Sequence, residues 1–453
     1  MLTKGLISVV CQITILLAAA VNYFSNPLGL QVGDSLAYGF GSDRNLNLLS
    51  PLGNSLRNWP VVSINLLIGN SALQILMQTA FSVFAWVNLI RAYNKSDFLR
   101  KQEFSIVGTF LFLTSQNLTW NSTQLSESYS ISFVILILSQ IIKLKKHNSF
   151  LDYFLIILLV YLWASIHGRN LTSLVLLLII LMIAYSTWLI RVLKFEKFTE
   201  RKLALALIAV SFATHAIVVN SNQRNQEYEQ GLGYKALAYT YTFASQPEAP
   251  TVRKELSKIR ELECLTLDGS ADLYALTNEM KQGCKSANIW LNENFTRWYA
   301  GFLVSHPIVA SKMAIGGLLY GNQPSVLYGS TVSILPSMAE EIFFGKSVSD
   351  PAKYHSEVSS TQDSKVNAPL LLWIILLFAS ILAGYRGLDS MILLSNLKLP
   401  IVISFGSILS AMLTVVICPS EFFKLTIQMQ ILFYLSSTII ILNSLSEKKV
   451  NND

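Results

Sequence analysis

The chain has 453 residues, of which 52% are apolar and only 13% charged, where soluble domains carry about 25% charge; its mean hydropathy is +0.46. That composition excludes a soluble globular or disordered protein and makes the bilayer the expected solvent. The net charge of +7 raises nucleic acid as a partner, but the excess sits in short loops, and the one long loop, 221–367, holds 13 Lys/Arg against 15 Asp/Glu, so no basic face for a phosphate backbone is present.

Ten segments read as spanning helices: 6–24, 71–90, 104–120, 129–142, 152–166, 171–190, 203–219, 369–385, 399–417 and 425–443. With both termini inside, 17 of the 34 Lys/Arg fall on cytoplasmic segments and only Arg44, Arg57, Arg169 and Lys424 on short outer loops, as the positive-inside rule requires. The expected architecture is an α-helical polytopic protein of the plasma (inner) membrane. A helix-1-to-7 module fills 1–220, a mostly helical extracytoplasmic domain fills 221–367 between helices 7 and 8, and a module of helices 8 to 10 with a short tail fills 368–453. Segment 6–24 also resembles a signal peptide, with Lys4 before it and Ala18-Ala19-Ala20 at its end; its length and the interior Gln12 and Thr14 favour a retained helix. Segments 104–120 and 129–142 borrow flanking polar residues to cross about 30 Å of hydrocarbon, which points those residues at protein or water.

The first outer loop, 25–70, contains Asp34, Tyr38, Asp43, Arg44 and Arg57. Further along, Glu127 opens the fourth span in T123-Q-L-S-E-S-Y-S130, and His167 and Arg169 sit in the tight loop I166-H-G-R-N170. All these ionisable groups fall on the predicted outer side, next to spanning helices, where such groups are functional candidates. Glu127 also suits the first turn of a helix, where an acid is favoured.

In the long loop, V252-R-K-E-L-S-K-I-R-E-L262 and W290-L-N-E-N-F-T-R-W-Y-A-G-F-L303 have helical spacing, and I308-V-A-S-K-M-A-I-G-G-L-L319 is too short to span and suits the bilayer interface. Cys264 and Cys284 are the only cysteines of this domain; they read as a disulfide, with two free thiols as the other reading. Asn117, Asn121, Asn170 and Asn294 head Asn-x-Ser/Thr words and carry no assigned function. No ligand spacing for a metal occurs, and no cofactor is expected, although the carboxylates leave a weakly held divalent cation open.

Together G33-D-S-L-A-Y38, R57-N-W-P60 and L125-S-E-S-Y-S-I131 resemble the GT-C superfamily of membrane glycosyltransferases. In that superfamily an acidic residue follows the first helix, a Pro-containing stretch leads to the second, a Ser-Glu-Ser-like word opens the fourth, and a large outer domain comes late. Here Asp34 stands alone where other members carry adjacent acids, and Asp43 follows nine positions later. The resemblance implies a polyprenyl-phosphate sugar donor, a glycan, lipid or protein acceptor, membrane lipids as partners, and an active site on the extracytoplasmic face.

Chemistry then suggests roles. An acceptor hydroxyl must lose its proton as it attacks the sugar, a task for a carboxylate; Asp34 is the first choice and Asp43 the second. The leaving phosphate suits a guanidinium, so Arg57 and Arg169 are favoured for it, with Arg44 a further candidate beside Asp43. Tyr38, Glu127 and His167 are candidates for sugar or acceptor binding. An O-antigen-type polymerase or ligase, using residues such as Arg297 and His306, is the rival enzyme. A transporter or non-catalytic scaffold is the rival class.

Overall fold

The computed structural model describes residues 2–25, 27–28, 59–124, 126–144, 149–166, 168–184, 206, 208–217, scattered positions from 233 to 244, 249–265, 283–320, five positions from 375 to 381, 391–417 and 422–446. They are mostly helical, with no β-strand among the described residues. Two compact units are present: the first comprises Met1–Gln223, Val326–Ser410 and Ile427–Asp453, and the second Arg224–Ser325 together with Ala411–Thr426.

The first unit contains α1 (Leu2–Ser25), α2 (Trp59–Ile68), α3 (Ser71–Lys95), α4 (Lys101–Leu113), α5 (Ser115–Ser122), α6 (Glu127–Leu144), α7 (Phe150–Ile166) and α8 (Gly168–Ala184), then α9 (Ile208–Ile217). Gly69, at φ 66°, allows the reversal between α2 and α3, because the left-handed region costs glycine little. Asn70 then caps α3, its side-chain oxygen accepting from the Leu73 N–H at 3.2 Å. At the far end of α3 the Ser96 hydroxyl donates to the Tyr93 carbonyl at 2.7 Å. The expected span 104–120 is two helices, because the chain leaves helical geometry at Thr114 (ψ 141°), whose hydroxyl donates to the Leu111 carbonyl and accepts the Asn117 N–H. The expected fourth span is longer than its apolar run: α6 takes in Glu127 and Ser128 and reaches 18 residues.

Three described helices, Gly5–Ser25, Ser71–Lys95 and Glu127–Leu144, are long and apolar enough to cross a membrane. Their surfaces are inside-out relative to a protein folded in water. On α3, Gln74, Gln78 and Ser82 recur every four residues and are buried, while Leu73, Leu76, Met77 and Phe84 are exposed. On α1, Leu6, Val9, Val10, Ile13, Leu17, Val21 and Phe24 form one exposed apolar stripe, and Cys11, Ile15, Ala18, Ala19 and Asn22 the buried one. Water would penalise both the exposed apolar stripes and the buried amides, whereas lipid accepts the former. Helix α6 is the interior member of this unit, 78% of its apolar window being buried against 28% for α1, and α3 with α6 makes the most extensive helix pair.

Helix α1 is held by polar contacts as well as packing: Arg91 Nε donates to Gln12 Oε1 at 2.9 Å and Asn94 Nδ2 to Ser8 Oγ at 2.7 Å. Gln12, the residue that argued for a retained helix, thus has a partner on α3.

The second unit contains α10 (Pro250–Leu256), a 3-10 turn (Arg260–Leu262), α11 (Lys285–Trp290), a π turn (Leu291–Phe295), α12 (Thr296–Ser305) and α13 (Pro307–Tyr320). Its core packs Leu237, Val252, Leu256, Trp290, Phe295, Tyr299 and Phe302. The expected helix over 252–262 is short, ending near Ser257 before the 3-10 turn. Cys264 and Cys284 are disulfide-bonded, with Cα atoms 5.7 Å apart, so the paired reading of these cysteines is the one the structure takes. The C-terminal helices are α14 (Met391–Ile417) and α15 (Phe422–Ser446); α14 begins eight residues before the expected apolar run and contains Pro400.

Candidate functional site

One end of the first unit carries a buried polar layer. It is the end that holds the C-terminal turns of α1 and α7, the N-terminal turns of α3, α6 and α8, and all of α5. Asn22, Gln78, Asn117, Asn121, Ser126, Glu127, Ser128, Ser130 and Asn170 are all 1% exposed or less. The sequence puts them there because T114-S-Q-N-L-T-W-N-S-T-Q124 breaks the apolar run after α4 and folds back as α5 instead of continuing outward.

The layer is connected by hydrogen bonds. Gln78 Nε2 reaches three carbonyls at the end of α5, those of Trp120 (2.8 Å), Asn121 (3.1 Å) and Thr123 (2.9 Å), and Asn22 Nδ2 donates to the Leu118 carbonyl at 2.9 Å. The Ser128 hydroxyl donates to Asn121 Oδ1 at 2.7 Å. Two residues on, Ser130 Oγ accepts from both Trp163 Nε1 and Asn170 Nδ2 at 3.1 Å. Asn170 Nδ2 also donates to the Trp163 carbonyl at 2.9 Å, and Gln428 Nε2 donates to Asn170 Oδ1 at 2.9 Å. Helices α5, α7 and α8 are thereby tied directly to the first turns of α6, and α1, α3 and α15 are tied to it through them.

Glu127 is the carboxylate of this layer, fully buried and in the first turn of α6 between Ser126 and Ser128. An acid in a first turn lies at the positive end of the helix dipole. The same end of the unit holds buried polar atoms without a hydrogen-bond partner: the donors Trp120 Nε1 and Asn121 Nδ2, the acceptors Asn22 Oδ1, Gln78 Oε1, Asn117 Oδ1 and Gln124 Oε1, and the Tyr129 hydroxyl. Each such group costs about 1–3 kcal/mol when left unsatisfied, and native structures contain few. A mixture of donors and acceptors at one end with a carboxylate matches a hydroxyl-rich ligand, whose O–H groups both give and take hydrogen bonds.

Of the expected site residues, Asp34, Tyr38, Asp43, Arg44, Arg57 and His167 lie outside the described residues. Arg169 is on the first turn of α8, with its side chain outside the described set. Glu127 alone among the acid and base candidates has a described environment. Sequence reasoning missed Gln78, Asn121, Ser130, Trp163, Asn170 and Gln428. Two signals were available: the Gln74/Gln78 pair at i, i+4 inside an apolar helix, and the Asn-x-Ser/Thr words themselves. Asn117, Asn121 and Asn170 are buried partners of other helices, and only Asn294 of the four is exposed.

The opposite end of the unit has a different character. Asn443 Oδ1 accepts the Leu99 N–H at 2.9 Å, Asn443 Nδ2 donates to the Tyr93 hydroxyl at 3.1 Å, and Lys143 Nζ donates to Asn88 Oδ1 at 2.8 Å. Among the described residues no carboxylate is buried there. Among the described residues no group of three or more His, Cys, Asp or Glu gathers as a metal site would need.

No protein-family model matches the sequence, no curated protein matches it, and no solved structure matches the fold.

Proposed function

We propose that the protein is a ten-span membrane glycosyltransferase, with both termini cytoplasmic, that moves a sugar from a polyprenyl-phosphate donor to an extracytoplasmic glycan, lipid or protein acceptor. The observation that carries this reading is the buried Glu127 layer, which combines a carboxylate with donors and acceptors without partners in a unit whose α1 and α3 expose apolar stripes. Intramembrane ionisable groups are costly and mark function. Its position also supports the reading: the layer includes the C-terminal turns of α1, the helix after which the sequence places Asp34 and Asp43.

In the proposed reaction the sugar lies against Glu127, Asn121 and Trp120. The Asp34 carboxylate takes the acceptor proton while the acceptor oxygen forms its bond to C1. The C1–O bond to phosphate breaks on the opposite face, and the electron pair leaves with the polyprenyl phosphate, whose charge Arg57 and Arg169 neutralise. Attack opposite the leaving group inverts the anomeric centre.

His306, one of the residues named for the rival polymerase reading, is the C-cap of α12. Its Nδ1 lies 3.0 Å from Ser305 Oγ and 3.2 Å from the Phe302 carbonyl, and its ring stacks on Phe302 at 5.2 Å between centroids. That is a helix-end role. Purified protein is to be offered a panel of radiolabelled polyprenyl-phosphate sugars. The expected result is transfer by wild type with inverted anomeric configuration, reduced at least about 100-fold in Asp34→Asn, the scale of a lost general base; equal rates would remove Asp34 from the mechanism.

A further inference from the structure

The second unit hides its apolar residues well, with a few exceptions. Among its described residues the large apolar side chains left open are Ile289 (59% exposed), Val304 (82%), Ile308 (74%) and Leu413 (37%). Val304 and Ile308 flank the corner where α12 ends and α13 begins. The corner is built, not loose: the His306 N–H donates to the Phe302 carbonyl at 3.0 Å, the His306 ring stacks on Phe302, and Pro307 starts α13. One turn further, Met313 is fully buried and its carbonyl accepts the Tyr239 hydroxyl at 2.5 Å. The interfacial segment expected over 308–319 is therefore anchored in protein at Met313 and Ala314, while Val304 and Ile308 project at the corner.

We propose that this corner inserts into the headgroup region of the outer leaflet, with lipid covering Val304 and Ile308. Two observations favour lipid over a protein partner. First, the same unit includes Ala411–Thr426, the junction between α14 and α15, and Met412 packs on its core. These helices are 27 and 25 residues long and predominantly apolar, and the ten-span reading inserts both in the bilayer, which puts the residues near 411–426 close to its surface. Second, the stretch from Thr296 to Tyr320 contains no Asp or Glu, while Arg297 and Lys312 are exposed. Apolar tips flanked by cations are the composition that phospholipid phosphates and upper acyl carbons bind. This inference rests on the membrane reading of the chain and not on the sugar-transfer reading.

The test uses full-length protein in nanodiscs of phosphatidylethanolamine and phosphatidylglycerol. Cys11 and Cys418 are replaced by serine, and an environment-sensitive fluorophore is placed in turn at Val304→Cys, Ile308→Cys, Phe84→Cys and Lys258→Cys. Phe84 is an exposed residue of α3, and Lys258 an exposed residue of the second unit. The expected result is that labels at 304 and 308, like that at 84, are quenched several-fold more by doxyl lipid than by aqueous iodide, and that the label at 258 shows the reverse. Labels at 304 and 308 that follow 258 would overturn the inference while leaving the membrane reading intact. Shielding from both quenchers, with energy transfer between labelled copies, would overturn it in favour of a second chain. A label at 84 that lipid does not quench would remove the membrane reading and this inference with it.

Discussion

Gln78 shows how a single amide positions the polar layer. Its Nε2 lies within hydrogen-bond distance of three carbonyls at the end of α5, where helix carbonyls run out of intrahelical donors. Gln78→Leu keeps the volume but removes the amide that joins α3 to the end of α5, with an expected loss of about 1–3 kcal/mol. Gln78→Glu is expected to lose more, since a carboxylate turns two acceptor oxygens on three others; thermal unfolding in detergent compares the two, and a Glu variant as stable as wild type would contradict the network. Glu127 was legible in the sequence because a charge at the edge of an apolar run stands out. Gln78, Asn121 and Asn170 were not, because neutral amides in such runs carry no sign of what they face until α5 folds back on α3.

At the scale of elements, helix contacts in this protein are set by side-chain size as much as by polarity. A Cβ on Gly406 of α14 would lie 2.2 Å from Leu177 Cδ2 and 3.3 Å from its Cγ. Gly406→Ala therefore forces Leu177 on α8 to turn or the helices to part, at about 1–3 kcal/mol, and Leu177→Ala in the same protein is expected to recover most of that loss. A double-mutant cycle measures the coupling; additive losses would mean that α8 and α14 do not meet there. Close approach of this kind lies beyond sequence reading, since Gly406 looks like any glycine in an apolar helix. The break between α4 and α5 was half-visible: the polar run after residue 113 weakened the expected span, but only Thr114, bonding both ways across the bend, shows why the chain turns there.

At the scale of the whole molecule, the helical, membrane-type architecture was legible from composition and from the recurrence of apolar runs, because both follow from the solvent the surface must meet. The two units respond to different conditions. In the second, burial pushes the Tyr241 and Tyr299 hydroxyls above the ordinary tyrosine range; for Tyr299 a hydrogen bond with Thr240 opposes the rise and Tyr239 adds to it. Folding then favours the neutral phenols, so their contribution is complete below the unfolded value of about 10 and is lost as pH rises above it. Tyrosine absorbance during base titration is expected to show a late, cooperative phase coinciding with loss of structure in this unit; titration of every tyrosine near pH 10 with the fold intact would contradict the burial. The sharpest test of the sugar-site claim is steady-state transfer by wild type and Glu127→Gln in nanodiscs with the polyprenyl-phosphate sugar that wild type uses. The account predicts a correctly folded variant whose kcat/KM falls at least about 30-fold, the scale of a lost charged hydrogen bond of roughly 2 kcal/mol, whereas unchanged kcat and KM would mean that Glu127 serves only the first turn of its helix.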